Sequence, residues 1–442
     1  MARLELGDRR ALTRNWSGTS RLQPADVAHP STNREVVHHI ARATAHGTSI
    51  RLVGAAHSFT PLSETSGTLM TLDNYRGLVS IDSETGDATV RGGTRLRELG
   101  PMLAVHGRAL INMGDVDPQS IAGAISTGTH GMGHAMQGLA AMVTGLRMAL
   151  ASGDVVWCDA DTNPLLFQAA RLGLGTLGII LEVRIKTVPR YRLDMTEENR
   201  PVADTVTRYA HTSGLIDHQE LFWFPGTDRV CVREMRRVDQ SAKRRRRPRA
   251  IHLFETEVIN NAGFELMCRI GTAQPRVVPA INSLVSRLMP SSAMVDDSYA
   301  VFAASRRVRF KESEFAIPTE AFADAFAKLQ SVLASRRHDV TFPMEIRRSA
   351  ADDVWLSTAY QRDTVYIAAH MYHRQQGTEY LRLIQDTLME FNPRPHWGKL
   401  HWLDAEYFAA EYPMFEQFTA VRRDVDPTGL FMNEHTRRVF GA

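Results

Sequence analysis

Residues 120–131 read Ser-Ile-Ala-Gly-Ala-Ile-Ser-Thr-Gly-Thr-His-Gly, a run of small residues with no acidic side chain and no lysine or arginine. Because small residues leave the backbone accessible, such a run exposes many N–H donors and can lie along an extended ligand. It continues to His130-Gly-Met-Gly-His134, where two histidines stand four residues apart. That spacing suits a metal on a helix, and the two intervening glycines disfavour a helix. The stretch therefore predicts a cofactor-binding segment and no metal site.

A second segment of small residues, Val53-Gly-Ala-Ala-His57-Ser58-Phe59, follows a predicted strand at 50–53. Small residues after a strand let successive N–H groups form an anion-binding nest, which suits a pyrophosphate. His57 and Ser58 at its end could orient a ligand, and the imidazole could carry a covalent attachment. A tight turn capped by Ser58 is the alternative, and spacing alone leaves both interpretations open.

Gly173-Leu-Gly175-Thr-Leu-Gly178 matches the G-x-G-x-x-G pattern of dinucleotide-binding sites. In such a site the glycines follow a strand and open a helix, so that the pyrophosphate sits at the helix N-terminus. Here the order is reversed, because a predicted helix at 164–172 precedes the glycines and a predicted strand at 179–186 follows them. We therefore interpret the motif as a helix-to-strand turn and not as an NAD site.

The composition excludes several classes of protein. A net charge of +3 over 442 residues gives no electrostatic case for nucleic-acid binding, and the basic run at 243–249 is interpreted as a solvated loop. Three cysteines without a C-x-x-C pair predict neither a disulfide scaffold nor a zinc site. The N-terminus lacks the apolar core of a secretory signal, and no apolar run approaches the ~18 residues of a membrane span. We expect a cytoplasmic protein, with peripheral membrane association left open.

The order of predicted elements divides the chain. Up to residue 188, short strands and glycine-rich turns alternate with predicted helices at 36–45, 94–106 and 164–172. Pro189 and Pro201 mark a boundary, after which a helix at 319–336 and strands at 341–347 and 364–373 are predicted. The residues after Arg394 are rich in aromatic side chains. This pattern predicts domains at 18–188 and 189–393, followed by a C-terminal segment at 394–442.

Seven short motifs follow one another along the chain. They are Gly54-Ala-Ala-His57-Ser58, Val90-Arg-Gly-Gly93, Ser126-Thr-Gly-Thr-His130-Gly, Gly175-Thr-Leu-Gly178-Ile, Glu345-Ile-Arg347, His396-Trp-Gly-Lys399-Leu-His401 and Asp426-Pro-Thr-Gly-Leu-Phe-Met-Asn433. Each motif is weak by itself. Together, over nearly the whole chain, they resemble the flavin-linked oxidase superfamily typified by vanillyl-alcohol oxidase. Within it the chain resembles the sugar-1,4-lactone oxidoreductases, which are L-gulono-, L-galactono- and D-arabinono-lactone oxidases or dehydrogenases.

The resemblance implies an α+β fold and FAD as the cofactor. The expected architecture is a two-lobed FAD-binding domain of the vanillyl-alcohol oxidase type, an α+β substrate (cap) domain with an antiparallel sheet, and a C-terminal segment that returns to the flavin. In many members a histidine at the position of His57 carries the flavin covalently. By the resemblance, the cofactor-binding residues are Leu52, Val53, Gly54, Ala55, Ala56, His57, Ser58, Ser120, Gly123, Thr127, Gly128, Thr129, His130 and Ile180.

The resemblance also assigns a substrate side, with catalytic residues Glu345, Arg347, His370 and Lys399 and flavin-edge or substrate residues Gly114, Asp115, Tyr372 and His396. Glu345 and Arg347 are two apart on a predicted strand, so both side chains face one way. A carboxylate beside a guanidinium stays ionised and suits gripping a vicinal diol. His370 and Tyr372 repeat the spacing on the next strand.

Two further assignments concern the flavin edge. Lys399 is one of only five lysines in the chain, and a cation there would stabilise the negative charge that arrives with hydride. Alanine at the place of Gly114 can block oxygen in this family, whereas glycine opens a path for it.

The resulting hypothesis is FAD-dependent oxidation of a sugar 1,4-lactone, either L-gulono-1,4-lactone or D-arabinono-1,4-lactone, as in ascorbate biosynthesis. Hydride passes from a C–OH carbon to flavin N5, and the hydroxyl proton passes to His370 as first candidate or Glu345 as second. Oxygen or another acceptor then takes the electrons. An alditol (xylitol or sorbitol) oxidase is the alternative, although Tyr372 is bulkier than the threonine expected there. A non-catalytic flavin-binding protein is a distant alternative.

Overall fold

The computed structural model describes residues 13–209, 216–246, 261–289, 291–304, 307–335 and 340–441. The strands in chain order are β1 Asp26–Ala28, β2 Ile50–Leu52, β3 Thr68–Met70, β4 Leu78–Ile81, β5 Ala88–Arg91, β6 Arg108–Ala109, β7 Val143–Ala149, β8 Val155–Asp159, β9 Ile179–Ile185, β10 Val188–Pro189, β11 Arg192–Pro201, β12 His218–Trp223, β13 Arg229–Val238, β14 Ser292–Asp297, β15 Phe310–Pro318, β16 Met344–Ser349, β17 Thr364–Tyr372 and β18 Arg394–Pro395.

Helices connect and cover these strands. They are α1 Asn33–His46, α2 Leu96–Val105, α3 Ile121–Ser126, α4 Pro164–Ala170, α5 Val202–Tyr209, α6 Phe264–Ala273, α7 Val278–Leu288, α8 Ser298–Phe302, α9 Phe322–Ser335, α10 Glu379–Leu388, α11 Ala405–Glu411, α12 Phe415–Val425 and α13 Glu434–Phe440. Short 3-10 turns lie at Leu139–Met142, Pro275–Val277, Thr319–Ala321 and Met389–Phe391. No helix in the described ranges combines the length and the apolar character that a membrane crossing requires.

The N-terminal half contains two sheets that carry the small-residue segments. A parallel sheet has the order β1-β3-β2, and an antiparallel sheet has the order β4-β5-β9-β7-β8. Helix α1 starts where the Thr32 hydroxyl accepts a hydrogen bond from Glu35 N, and it ends at Gly47 in the left-handed conformation. The glycines at 173–178 lie between α4 and β9, so the predicted helix-to-strand order is confirmed.

An eight-stranded antiparallel sheet, ordered β14-β11-β13-β12-β16-β17-β15-β18, forms the second half of the fold. Side chains alternate between its two faces. One face is apolar and is covered by helices, as where Trp223 of β12 packs on Phe326 of α9 with ring centroids 4.9 Å apart. The opposite face is polar and contacts loops of the N-terminal half. The predicted α+β class, with an antiparallel sheet after residue 189, is therefore confirmed.

The C-terminal residues bind back to the N-terminal half. Leu430 O accepts a hydrogen bond from Ile50 N at 2.9 Å, and the buried Arg51 guanidinium donates to Phe431 O. Asp426, fully buried, holds this turn because its two carboxylate oxygens accept from Leu430 N at 2.8 Å and Phe431 N at 2.9 Å. The motif that starts at Asp426 therefore has a structural role: it holds the C-terminal turn against strand β2.

The basic run at 243–249 is described only as far as residue 246. Its arginines are exposed, as predicted for a solvated loop, but they also form ion pairs. Arg244 contacts Asp296 and Asp297, Arg245 contacts Asp194 at 2.8 Å, and Arg246 contacts Asp296. These arginines therefore fasten the loop to the edge strand β14 and its neighbour β11.

We expect Asp426→Asn to destabilise the fold. The amide nitrogen would face one of the two backbone N–H donors, and an unsatisfied buried donor costs about 1–3 kcal/mol. Chemical denaturation should show this loss in the free energy of unfolding. Asp424→Asn, at an exposed position two residues earlier, is the control and should change it by less than ~0.5 kcal/mol. Equal stabilities of the two variants would contradict the role given to Asp426.

Candidate active site

A long cavity runs between the parallel sheet and helix α3. About 1100 Å³ of space free of atoms, part of it open to solvent, lies within it. Its wall is largely made of glycine, alanine, serine and threonine, so few bulky side chains narrow it. Such a wall suits an extended ligand with a phosphate-containing middle.

The loop from Gly54 to Ser58 forms the phosphate-binding candidate in this wall. Among the described residues, no partner within the chain is bonded to the five backbone N–H groups of this loop. Ala56 adopts a positive φ of 53°, which turns successive N–H groups toward one side. Gly54 cannot be replaced without movement, because a Cβ there would lie 2.6 Å from Ser120 Oγ. The loop therefore offers free donors to an anion.

The cavity wall contains most of the predicted cofactor residues. Those on it are Leu52, Val53, Gly54, Ala55, Ala56, His57, Ser58, Ser120, Gly123, Thr127 and Ile180. Three others, Gly128, Thr129 and His130, are not among its lining residues. Sequence reasoning missed further wall residues, including Asn15, Arg51, Asp73, Gly92, Gly93 and Gln119. Of these, only the Gly92-Gly93 pair carried a sequence signal, within the Val90-Arg-Gly-Gly93 motif.

His57 lines the cavity, and the charged groups near it include Lys399, Asp115 and Glu312. Its ring stacks on Trp16, with centroids 4.7 Å apart and planes 22° apart. Burial and, to a smaller extent, the nearby charge of Lys399 lower the pKa of His57 to about 4. The imidazole is therefore neutral at pH 7, with Trp16 fixing the plane of the ring.

Arg347 stands at the centre of a cluster of carboxylates on the polar face. Its Nε donates to Glu220 at 3.0 Å, its Nη2 lies 3.2 Å from Asp115, and it also pairs with Glu345. All four side chains are buried. Asp115 comes from a loop of the N-terminal half, so this ion pair joins the two halves at the predicted substrate side. Glu220 was not predicted.

Lys399 forms a second charged group on the same face. Its ammonium pairs with Glu312, lies 3.9 Å from Glu314, and stands 5.1 Å from the centroid of the Phe59 ring. Burial by itself would raise the pKa of Glu312, but Lys399 and His370 lower it to about 2. The segment that carries Lys399 is hydrogen-bonded to the residue that follows the loop from Gly54 to Ser58, since Phe59 N donates to Gly398 O at 2.7 Å.

His130, Glu314 and His396 make up a buried trio beside Lys399. His130 Nε2 lies 3.0 Å from Glu314, its ring stacks on Tyr366, and His396 Nδ1 accepts from Gly398 N at 3.1 Å. The ligand atoms of the trio lie within 4.8 Å of one another, a set that can hold a metal ion. An ion there would have to displace the His130–Glu314 bond and face the Lys399 ammonium. His134, the other half of the sequence pair, is not part of this trio.

The structure separates the two residues predicted on β17. His370 joins the charged groups: its Nε2 lies 3.4 Å from Glu312 and its Nδ1 lies 3.0 Å from Pro343 O. Tyr372 instead donates its hydroxyl at 2.5 Å to Glu265 of α6. Tyr372 therefore belongs to a contact between the sheet and helix α6.

The residues that sequence reasoning missed are Glu220, Arg233, Glu312 and Glu314. A usable signal existed for two of them, since Glu312 and Glu314 stand two apart directly before the apolar run at 315–317. Gly114, the remaining predicted position, sits tightly between two neighbours: a Cβ there would lie 3.0 Å from Thr129 Cγ2 and 3.2 Å from His130 O.

Comparison with known proteins identifies the family. A family model described as D-arabinono-1,4-lactone oxidase matches residues 183–439, and one described as an FAD binding domain matches residues 24–159. L-gulono-1,4-lactone dehydrogenase from Mycobacterium tuberculosis is 39% identical over 427 residues, which cover 97% of this chain and 98% of that protein. L-gulonolactone oxidase from Mus musculus is 30% identical over 434 residues, which cover 96% and 97%.

A solved structure supports the same fold. Cholesterol oxidase from B. sterolicum matches with a TM-score of 0.80 over 97% of this chain and 96% of that one, and its 16% sequence identity makes this a likeness of fold alone. The expected vanillyl-alcohol oxidase type of fold and the FAD cofactor are thereby confirmed. The chain belongs to the D-arabinono-1,4-lactone oxidase family and is an FAD-dependent oxidoreductase.

Proposed function

We propose that the protein oxidises a C–OH group of a sugar 1,4-lactone, L-gulono-1,4-lactone or D-arabinono-1,4-lactone. The observation that carries this proposal is the polar sheet face with Glu345, Arg347 and Lys399, which meets the FAD cavity at His57. The names of the relatives support the same substrate class, and each match covers nearly the whole length of both proteins.

The chain fits FAD through its backbone. The free N–H groups from Gly54 to Ser58 would hold the diphosphate, and the small residues of α3 would allow close approach of the rest of the molecule. When bound, FAD supplies the acceptor for the hydride that leaves the substrate carbon. We propose that His57 also bonds the flavin through its 8α-methyl carbon, since its neutral, stacked imidazole has a nitrogen lone pair held in one orientation. One 8α C–H bond and the imidazole N–H bond would break as the C–N bond forms, both protons would leave to solvent, and the two electrons would pass through the flavin to oxygen.

Arg347 and Glu345 would grip the substrate hydroxyls. A guanidinium donates several hydrogen bonds in a fixed plane and a carboxylate accepts them, so the pair matches a vicinal diol or a hydroxylactone. Lys399 would stabilise the negative charge that accumulates during hydride transfer.

The hydroxyl proton must pass to a base during the same step. Both ring nitrogens of His370 face acceptors, Pro343 O and Glu312. An imidazole that donates to both acceptors carries a proton on each nitrogen and has no lone pair left to take the hydroxyl proton. Glu345 is an acceptor-only group when ionised and lies beside Arg347, which would bind the substrate hydroxyls. We therefore favour Glu345 over His370 as the base. We also propose oxygen as an electron acceptor, because Gly114 adds no side chain of its own to the tight space beside Thr129.

Anaerobic bleaching of the flavin tests the substrate class directly. We expect L-gulono-1,4-lactone or D-arabinono-1,4-lactone at millimolar concentration to bleach the yellow holoenzyme within seconds, and xylitol to bleach it far more slowly. Admission of air should restore the colour. Faster bleaching by xylitol than by either lactone would assign the protein as an alditol oxidase, and no bleaching by any of the three would exclude both.

Lys399→Met should lower kcat by about 10²–10³-fold, because it removes a partly buried cation from the place where charge develops. The amount of bound FAD should stay the same. Lys328→Met is the matched control. Lys328 is an exposed lysine of α9 that pairs with Glu390, so this substitution should leave kcat unchanged. Unchanged turnover in the Lys399 variant would remove this residue from the proposed machinery.

Acid precipitation tests the proposed bond to His57. The yellow colour of the wild-type protein should stay with the precipitate, whereas His57→Ala should release it into the supernatant. His38→Ala, at an exposed position on α1, should behave like the wild type. Release of the flavin from the wild-type protein would show that FAD is held without a covalent bond.

A further inference from the structure

A row of alternating charges crosses the polar face of the large sheet and ends at Arg347. Glu197 of β11 is directly opposite Arg233 of β13, Arg233 is opposite Glu220 of β12, and Glu220 is opposite Arg347 of β16. Directly opposed residues on neighbouring strands share one face. The row therefore reads negative, positive, negative, positive toward the proposed substrate site.

Each neighbouring pair in this row is bonded. Arg233 contacts Glu197 and Glu220, each at 2.5 Å, and Arg347 Nε donates to Glu220 at 3.0 Å. Exposure falls along the row: the side chains of Glu197 and Arg233 keep about a fifth of their surface in solvent, whereas that of Glu220 keeps none. The row thus connects a partly solvated ion pair to a fully buried carboxylate.

Glu220 uses its two oxygens separately. Oε1 accepts from Arg233 and Oε2 accepts from Arg347, so each oxygen already serves a guanidinium. A carboxylate placed this way is not a substrate ligand. Its effect on chemistry has to pass through Arg347.

We propose that Glu220, held by Arg233, is a positioning residue that sets the orientation of the Arg347 guanidinium for substrate binding. This inference rests on the proposed function, in which Arg347 grips the substrate hydroxyls. Glu220 holds the Nε edge of the planar group, so the Nη end points to Asp115 and Glu345. A guanidinium held along one edge loses its freedom to rotate and presents its remaining donors in one plane.

The arrangement also balances attraction on the two sides of Arg347. Without Glu220, the remaining carboxylates, Asp115 and Glu345, both lie at the Nη end and would draw the guanidinium toward them. The donors offered to the substrate would then shift, and a shift of about 1 Å near a reacting group can cost ~10²-fold in rate.

Glu220→Gln tests this proposal, because it keeps the shape of the side chain and replaces one acceptor oxygen with a donor. We expect kcat/KM for the lactone that bleaches the wild-type flavin to fall about 10–100-fold. Arg233→Gln leaves the Glu220–Arg347 contact in place and should lower kcat/KM less, by about threefold to tenfold. FAD content should stay close to that of the wild type, since the cofactor wall does not include these residues. The midpoint of thermal unfolding should fall, because each change removes one partner from a buried ion pair.

Glu234→Gln is the matched control. Glu234 is the next residue after Arg233 and lies on the opposite face of β13, where both of its oxygens are bonded to Arg200 at 2.6 and 3.2 Å. Glu234→Gln is thus the same substitution as Glu220→Gln, made at another buried carboxylate that pairs with an arginine. We expect kcat/KM of this variant to equal that of the wild type.

A double-mutant cycle separates positioning from general structural damage. If Glu220 acts through Arg347, Glu220→Gln should have no further effect on kcat/KM in an Arg347→Met background. An additive loss there, with Arg347→Met itself impaired, would overturn the positioning role. Normal turnover of Arg347→Met would instead overturn the proposed function of Arg347. Should Glu220→Gln fail to fold, Arg233→Gln carries the same cycle with the same criteria.

Discussion

The guanidinium of Arg347 is the group on which the proposed site depends. A buried cation must be paired, and breaking such a pair leaves an uncompensated charge in a medium of low polarity. Arg347 meets this requirement with Glu220 and Glu345 from the sheet and Asp115 from a loop of the other half. The same contacts that satisfy its charge therefore fix how the sheet faces the FAD-binding half.

The two halves supply different chemistry because their backbones differ. The tight turn from Gly54 to Ser58 leaves N–H groups free, and the small residues of α3 leave space beside it, which suits a long anionic cofactor. The long antiparallel strands of the large sheet instead present side chains at fixed spacing on one face, so they can place several charged groups within hydrogen-bond reach. Lys399 joins the two, since it lies on the segment bonded to Phe59 and pairs with Glu312 of the sheet.

Local patterns made much of this arrangement predictable from sequence. The two-residue spacing of Glu345 and Arg347 places both side chains on the same face of the sheet, wherever the strand lies. The small residues after β2 predict a loop with free N–H donors. Glu220 could not be found in this way, because its role depends on the register between β12 and β16, which is set by packing far along the chain. The assignment of Tyr372 to the substrate side rested on its spacing from His370. Spacing could not show that its partner would be Glu265, which lies on a helix that no local pattern connects to β17.

A crystal structure of the holoenzyme with a bound lactone, obtained under anaerobic conditions with L-gulono-1,4-lactone, is the most direct measurement of the central claim. We expect the lactone hydroxyls to lie within about 3.2 Å of Arg347 and Glu345, at hydrogen-bond distance, with Arg347 still bonded to Glu220. A lactone bound elsewhere, with Arg347 keeping only its carboxylate partners, would contradict the assignment of this sheet face as the substrate site.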